Sequence, residues 1–121
     1  MATPNLVNVS TVTPFTIAGA VTNSATDVID VAADKVRKIN TIIIANVDGT
    51  NAADITVEVS VDNGSNYFHI AKTVSVPADA TLVVVDKNSQ VYLDETDLLR
   101  LTASANSDLE YVISSEILDD A

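Results

Sequence analysis

The stretch Ile55-Thr56-Val57-Glu58-Val59-Ser60-Val61 decides the fold class of this chain. Apolar side chains occupy its odd-numbered positions and polar side chains its even-numbered positions. This is the two-residue period of a β-strand with one face on a core and the other in water. Asn63-Gly64 follows directly, and both residues tolerate the positive φ that a type I′ turn requires. The segment therefore predicts a β-hairpin.

The predicted turn also sets the register of this hairpin. The expected cross-strand partners are Val59 with Phe68, Val57 with Ile70, Glu58 with His69, and Ser60 with Tyr67. The first two pairs join apolar side chains on one face, and the last two join polar side chains on the other. This segregation supports the turn assignment, because a slip of one residue would exchange the two faces.

Composition extends the β assignment to the whole chain. The 121 residues include 18 Val, 10 Ile and 13 Thr, so 41 are β-branched, against 8 Leu and 1 Met. Such side chains suit a pleated surface better than a helix. We predict an all-β fold, a single antiparallel β-sandwich of jelly-roll or immunoglobulin-like topology with an extended N-terminal arm. The strands are expected near residues 27–32, 38–47, 54–62, 65–71, 73–76, 80–86, 90–93, 97–105 and 109–118.

The N-terminal segment differs from the rest of the chain. Residues 1–26 mix Thr, Ser, Asn and Pro with scattered apolar residues, and the first charged side chain is Asp27. This segment has too little apolar surface to fold alone. We therefore predict an extended N-terminal arm or edge strand at 1–26 and a β-sandwich domain at 27–121.

Charge and composition exclude several classes of function. The formal net charge is −11 and the pI is about 4.1, so binding to nucleic acid is disfavoured. No apolar stretch approaches the roughly 20 residues of a membrane span, and the N-terminus shows no secretory signal. The chain contains no cysteine, which excludes disulfides, thiolate nucleophiles and iron–sulfur clusters. No glycine-rich phosphate loop is present, so no cofactor is expected.

A catalytic site is not expected either. His69 is the only histidine, and nucleophilic catalysis would need it to act as base for a serine such as Ser60 or Ser75, with a carboxylate behind it. The hairpin register supplies only Glu58 as a neighbour. On an exposed face, Glu58 and His69 are expected to form a weak ion pair. The prediction is a protein that is not an enzyme, with no catalytic residues.

Acidic turns raise the alternative of structural calcium. Carboxylates cluster at Asp94-Glu95-Thr96-Asp97 and recur at Asp48 and Asp54. Calcium takes several oxygen ligands converging from a loop, but no segment matches the Asp-x-Asp-x-Asp-Gly pattern. No metal site is predicted, and these carboxylates are expected to be solvated turn residues.

Two further features bear on partners. Lys35, Arg37 and Lys38 supply half of the six basic side chains, either as docking charges for an acidic partner or as the solvated beginning of a strand. Ile42-Ile43-Ile44 and Val83-Val84-Val85 place apolar groups on both faces of their strands. Each strand is therefore expected either to be central in the sandwich or to be covered by another subunit.

The ordered set of these segments resembles a family, the small β-sandwich virion structural proteins of tailed bacteriophages. The resemblance covers residues 36–118. It is carried by Ile39–Asn46, by VSVDNGSNYF at 59–68, by VSVPADATLVVVD at 74–86, by VYLDETDLLRLTAS at 91–104 and by DLEYVISSEIL at 108–118.

The resemblance implies a non-enzymatic capsid decoration (cement) protein on the virion surface, made in the host cytoplasm. The implied partners are the major capsid protein or other virion proteins, and self-association, with a trimer favoured. The alternatives are a neck, tail or fibre-attachment component of the virion, or an adhesion or carbohydrate-binding β-sandwich module. The last alternative predicts glycan binding through Tyr67, Tyr92 or calcium.

Overall fold

The fold was derived from a computed structural model that describes residues 6–119. After a 3-10 turn at Leu6–Asn8, nine strands follow in chain order. They are β1 (Thr11–Ala20), β2 (Thr26–Asp30), β3 (Lys35–Asn46), β4 (Ala53–Ser60), β5 (Phe68–Val76), β6 (Thr81–Val85), β7 (Val91–Leu93), β8 (Leu98–Ala103) and β9 (Leu109–Asp119). No helix among these residues has the length and apolar character needed to cross a membrane.

The strands form two antiparallel sheets. The first sheet has the order β1-β9-β3-β6, with β7 also paired to β3, and the second has the order β2-β8-β4-β5. If the three-residue β7 is set aside, the strands pair first with last, second with second-last, third with third-last, and the middle two with each other. This nested pairing is that of a jelly roll, whereas an immunoglobulin-like domain pairs its first two strands in one sheet. The predicted all-β sandwich is confirmed.

Branched aliphatic side chains fill the space between the sheets. The first sheet contributes Ile42, Ile44 and Ile113, each 0% exposed, and the second contributes Ile55 and Val57, also 0% exposed. Stiff branched side chains pack well between two pleated surfaces, and burying each one stabilises the fold by about 1.5–3 kcal/mol.

The hairpin predicted from Asn63-Gly64 forms with a partly different register. Asn63 and Gly64 have φ values of 58° and 91°, and Val59 faces Phe68 while Glu58 faces His69, as predicted. Two pairs are wrong. A bulge after Val57 places that residue opposite Ala71, and β5 begins at Phe68, so Ser60 and Tyr67 are not ladder partners. The bulge adds a residue to one strand, which shifts every later pair.

Two other differences concern strand boundaries. The strands expected at 65–71 and 73–76 are one strand, β5, which continues through Thr73 at a φ of 47°. Residues 11–20, expected to lie in an arm or edge strand, form the edge strand β1, which pairs with β9 from Thr11↔Asp119 to Ala20↔Glu110. The first five residues of that segment lie outside the described part of the chain.

Candidate functional site

The outer face of the first sheet carries an apolar row that crosses four strands. Ladder register places Ala18 beside Val112, Val112 beside Ile43, and Ile43 beside Val83. These side chains point away from the core, because Ile42, Ile44 and Ile113 occupy the alternate positions. Val112 is 42% exposed and Val83 is 54% exposed. The row is therefore a band of branched aliphatic side chains open to solvent.

The surroundings of this row are small and mostly uncharged. On one side Thr16, Ser114 and Thr41 form the next outward row, and on the other side Ala20, Glu110, Ala45 and Thr81 do so. Glu110 is the one charged side chain in the two flanking rows. Soluble monomers rarely expose an extended apolar band of this kind, and such bands mark interaction sites.

The strand β1 makes one margin of this surface an open sheet edge. Its backbone pairs with β9 on one side, so residues 11–20 complete their own chain's sheet. Pro14 lies within the strand and has no N–H, which weakens the edge as a template for another strand. Val12 and Phe15 of the same strand are 52% and 44% exposed.

The outer face of the second sheet is charged and internally satisfied. Register aligns Asp27 with Arg100, Arg100 with Glu58, and Glu58 with His69, so acidic and basic residue types alternate across all four strands. Arg100 Nε donates to Glu58 Oε1 at 3.0 Å, and His69 Nε2 lies 3.4 Å from Glu58 Oε2. Tyr67 donates its hydroxyl to Asp27 at 2.9 Å, and burial raises the pKa of this phenol, with the hydrogen bond as a further cause.

The pair of Glu58 and His69 differs from its prediction in burial. Glu58 is only 8% exposed, where an exposed sheet face was expected. The reason is Arg100, which lies on the neighbouring strand and covers the carboxylate. Sequence reasoning missed Arg100, because the pairing of β4 with β8 joins residues about forty positions apart and leaves no local pattern.

The candidate catalytic arrangement around His69 does not form in the described part of the chain. The Ser60 hydroxyl donates to Asp62 at 2.8 Å and accepts from the Gly64 N–H, so it is engaged in the turn. Ser75 lies opposite Asp54, six residues along β5 from His69. Neither serine is hydrogen-bonded to His69.

The basic cluster is neither free nor simply solvated. Lys35 Nζ pairs with Asp119 at 2.5 Å, and Lys38 Nζ lies 4.0 Å from Glu116 and 6.0 Å from the centre of the Tyr92 ring. Arg37 is buried, at 8% exposure. The prediction of a solvated beginning of a strand is therefore wrong for Arg37, which points inward on the same face as the buried Ile39, two residues along the strand.

The acidic turns serve as local hydrogen-bond acceptors. Asp97 accepts the Asp94 N–H at 2.8 Å, and its burial raises the pKa of its carboxyl. Asp48 accepts from the N–H groups of Thr50 and Asn51, which lowers its pKa. Among residues 6–119, no three acidic or histidine side chains are grouped in a way that would hold a metal ion.

The two tyrosines of the adhesion alternative lie on different sheets. Tyr92 belongs to β7 of the first sheet and is exposed, whereas Tyr67 precedes β5 of the second. The guanidinium carbon of Arg100 lies 3.5 Å from the centre of the Tyr67 ring. One face of that ring is therefore occupied by a side chain of the protein itself.

Comparison with known proteins shows the fold alone. No protein-family model and no curated protein matches the chain. Among solved structures, a protein of Bacillus endospore appendages, described as forming disulfide-linked pili, has a TM-score of 0.51 and is 11% identical, over 90% of this chain and 88% of that one.

Two other solved structures are similar at lower scores. The Drosophila NLP core, described in terms of pentamer formation and histone binding, has a TM-score of 0.49 and is 16% identical, over 84% of this chain and 96% of that one. A pentameric capsid protein from metagenomic phage sequences has a TM-score of 0.46 and is 20% identical, over 87% of this chain and 63% of that one.

Proposed function

We propose that this chain is a non-enzymatic structural protein of a phage virion. In this proposal it decorates the outer surface of the head as a cement protein, and it assembles through the outer face of its first sheet. The sequence resemblance supports a virion protein, and jelly rolls recur in viral capsid domains. Because one fold serves many functions, the proposal depends on the surface of this chain and not on the fold alone.

The contrast between the two outer faces carries the proposal. The second sheet satisfies its outward charges among Asp27, Arg100, Glu58 and His69. The first sheet instead leaves Val83 and Val112 exposed within an apolar row. A chain with net charge −11 repels its own copies, so association is favoured where charge is sparse. The apolar row is that place.

The size of this face suits a specific interface. Three strands of ten to twelve residues and one of five, about 4.8 Å apart, give a surface on the order of 600 Å². Stable interfaces bury about 800 Å² per partner, so the face and its margins are of the right order. Val12, on the open edge strand and on the same face as Ala18, extends the apolar area beyond the row.

The mode of action would be avidity. Many copies, each burying a modest area across seams between capsid subunits, would together resist outward pressure from packaged DNA. The negative charge would keep the outer surface soluble and repel the genome. The Bacillus appendage protein is described as forming disulfide-linked pili. This chain contains no cysteine, so its assembly would use no disulfide links.

The test of this proposal is binding to capsids that lack the protein. Wild-type chain is mixed with such capsids, which are then sedimented, and the bound fraction is measured. Val83→Asp and Val112→Asp are expected to lower occupancy at least tenfold, because each places a carboxylate in the row through which the copies associate, and a monomer lacks the avidity of the oligomer. Val61→Asp, at a 66% exposed loop position, is the matched control and should bind like the wild type. Equal occupancy for all four proteins would overturn the proposed surface, and no binding of the wild type would overturn the decoration function.

A further inference from the structure

Arg37 is a buried cation at the end of the sandwich where the sheets do not fully cover each other. It lies on the inner face of the first sheet, the same face as Ile39 two residues along β3. Its Nε donates to Ser115 Oγ at 2.8 Å, and its guanidinium carbon lies 4.6 Å from the centre of the Phe15 ring. Phe15 shares this face, because it pairs with Ser115, yet it remains 44% exposed. The inner face is thus open to solvent beside Arg37.

The guanidinium is not fully satisfied. Its Nη2 has no hydrogen-bond partner in the structure, and among residues 6–119 Arg37 forms no ion pair with a carboxylate. An unpaired buried donor is costly, and one on a charged group more so. Burial also lowers the pKa of Arg37, since no neighbouring anion offsets the loss of solvent. Among the described residues, Arg37 therefore has one buried donor without a partner and a positive charge without a neighbouring anion.

A cavity of about 190 Å³ adjoins this side chain. It is formed by the segment from Asp30 to Ala32, the segment from Lys35 to Arg37, and Ile117. Its walls are mainly aliphatic, with cations at Lys35 and Arg37 and one acid at Asp30. A single water needs only about 15 Å³, so the cavity has room for a group of several atoms.

We propose that this cavity binds a carboxylate carried on a short apolar stem. The stem would contact Val31, Val36 and Ile117, and the carboxylate would accept from Arg37, whose planar fork suits two carboxylate oxygens. Asp30 disfavours groups of higher negative charge such as phosphate. The carboxylate has two possible sources, a free small organic acid or an acidic side chain of a neighbouring protein in the assembly. Only the second source rests on the proposed function.

The test uses propionate, titrated into the isotopically labelled full chain at constant ionic strength with chloride as the balancing anion. The expected result is saturable movement of the Arg37 Nε–Hε resonance and of the amides at 31–37, with a dissociation constant on the order of 1–10 mM. A second arm uses N-acetyl-glutamate N-methylamide, which carries the same carboxylate on a peptide. If propionate alone binds saturably, the ligand is a free organic acid. If both probes bind, the cavity also accepts a carboxylate carried on a protein side chain. Absence of saturable shifts with both probes overturns the proposal.

Variants separate this site from the proposed assembly surface. Arg37→Met keeps the aliphatic stem and should abolish the shifts, whereas Lys87→Met, which removes an exposed turn lysine, should leave them unchanged. If Arg37→Met does not fold by circular dichroism, Arg37→Lys replaces it and is expected to weaken binding at least tenfold, since lysine lacks the planar fork. Unchanged affinity in the folded variant overturns the proposal. Capsid occupancy of wild type and Val112→Asp reports on the proposed function independently, because Val112 lies on the opposite face of the first sheet.

Discussion

The guanidinium carbon of Arg100 lies 3.5 Å from the centre of the Tyr67 ring, so the loop before β5 packs on a side chain of β8. Through Nε and Nη2 Arg100 also holds Glu58 Oε1, with both distances 3.0 Å. Tyr67 in turn donates to Asp27. The loop before β5 is thereby attached to strands from three parts of the chain.

This arrangement predicts a large stability loss on removal of Glu58. Glu58→Ala leaves Arg100 partly buried without its anion, and should lower the free energy of unfolding by about 2–3 kcal/mol. Glu116→Ala, at a more exposed carboxylate 4.0 Å from Lys38, is the control and should cost less than about 1 kcal/mol. Urea denaturation of both variants measures the difference. Equal losses of unfolding free energy would show that the Glu58–Arg100 pair stabilises the fold no more than the exposed pair of Glu116 and Lys38.

The face assignment on β9 predicts opposite behaviour at two adjacent residues. Ile113→Ala should destabilise the fold by about 2–5 kcal/mol, because it leaves a cavity at a 0% exposed position. Val112→Ala, on the outer face, should cost less than about 1 kcal/mol. Thermal unfolding by circular dichroism decides. A reversed order would mean that the two faces have been exchanged.

The turn at Gly64 predicts a position-dependent effect of alanine. Gly64 has a φ of 91°, and an added Cβ would lie 3.3 Å from Leu98 Cδ1, so Gly64→Ala should cost about 1 kcal/mol or more. Gly49→Ala is the control, since the nearest atom to its Cβ, an Asp79 carboxylate oxygen, would lie 3.7 Å away at ordinary contact distance. Chemical denaturation should show Gly49→Ala near wild type. Equal losses at both positions would contradict the role of the turn.

Asp97 predicts a pH dependence with a definite sign. Burial raises its folded-state pKa above 3.8, so protonation favours the folded state. The contribution of Asp97 to stability therefore increases as the pH falls from neutral through its folded-state pKa towards 3.8. In Asp97→Asn this contribution is absent, while the amide oxygen still accepts the Asp94 N–H. As the pH falls from 7 to 4, the melting temperature of the wild type should rise relative to that of the variant. Parallel pH profiles of the two proteins would refute the raised pKa.

Local patterns predicted most of the fold. The alternation at Ile55–Val61 gave β4, and the Asn63-Gly64 turn gave its hairpin partner and two of four cross-strand pairs. These features follow from steric preferences within a few residues, which is why they are legible in one sequence. The bulge after Val57 leaves one residue unpaired, and the alternation of apolar and polar residues in the two strands does not indicate where such a residue falls.

Which side chains lie together on a surface depends on pairing between strands that are distant in sequence. The apolar groups of Ile43 and Val83 were expected to be central or covered, but only the ladder register shows them in one row with Val112. Likewise the inward direction of Arg37 follows from its phase relative to Ile39. The short basic cluster does not indicate which face of the strand Arg37 occupies, because the pairing of the strands sets that face and the neighbouring residues in sequence do not.

The native mass of the purified chain, measured by light scattering at low and high salt, tests the claim that the first sheet's outer face is an assembly surface. We expect a trimer for the wild type, strengthened at high salt because repulsion between chains of net charge −11 is screened. We expect a monomer for Val112→Asp and an unchanged trimer for Val61→Asp. A larger ring would indicate a neck or tail component that uses the same surface. A monomeric wild type, or a Val112→Asp variant with the mass of the wild-type oligomer, would contradict the claim.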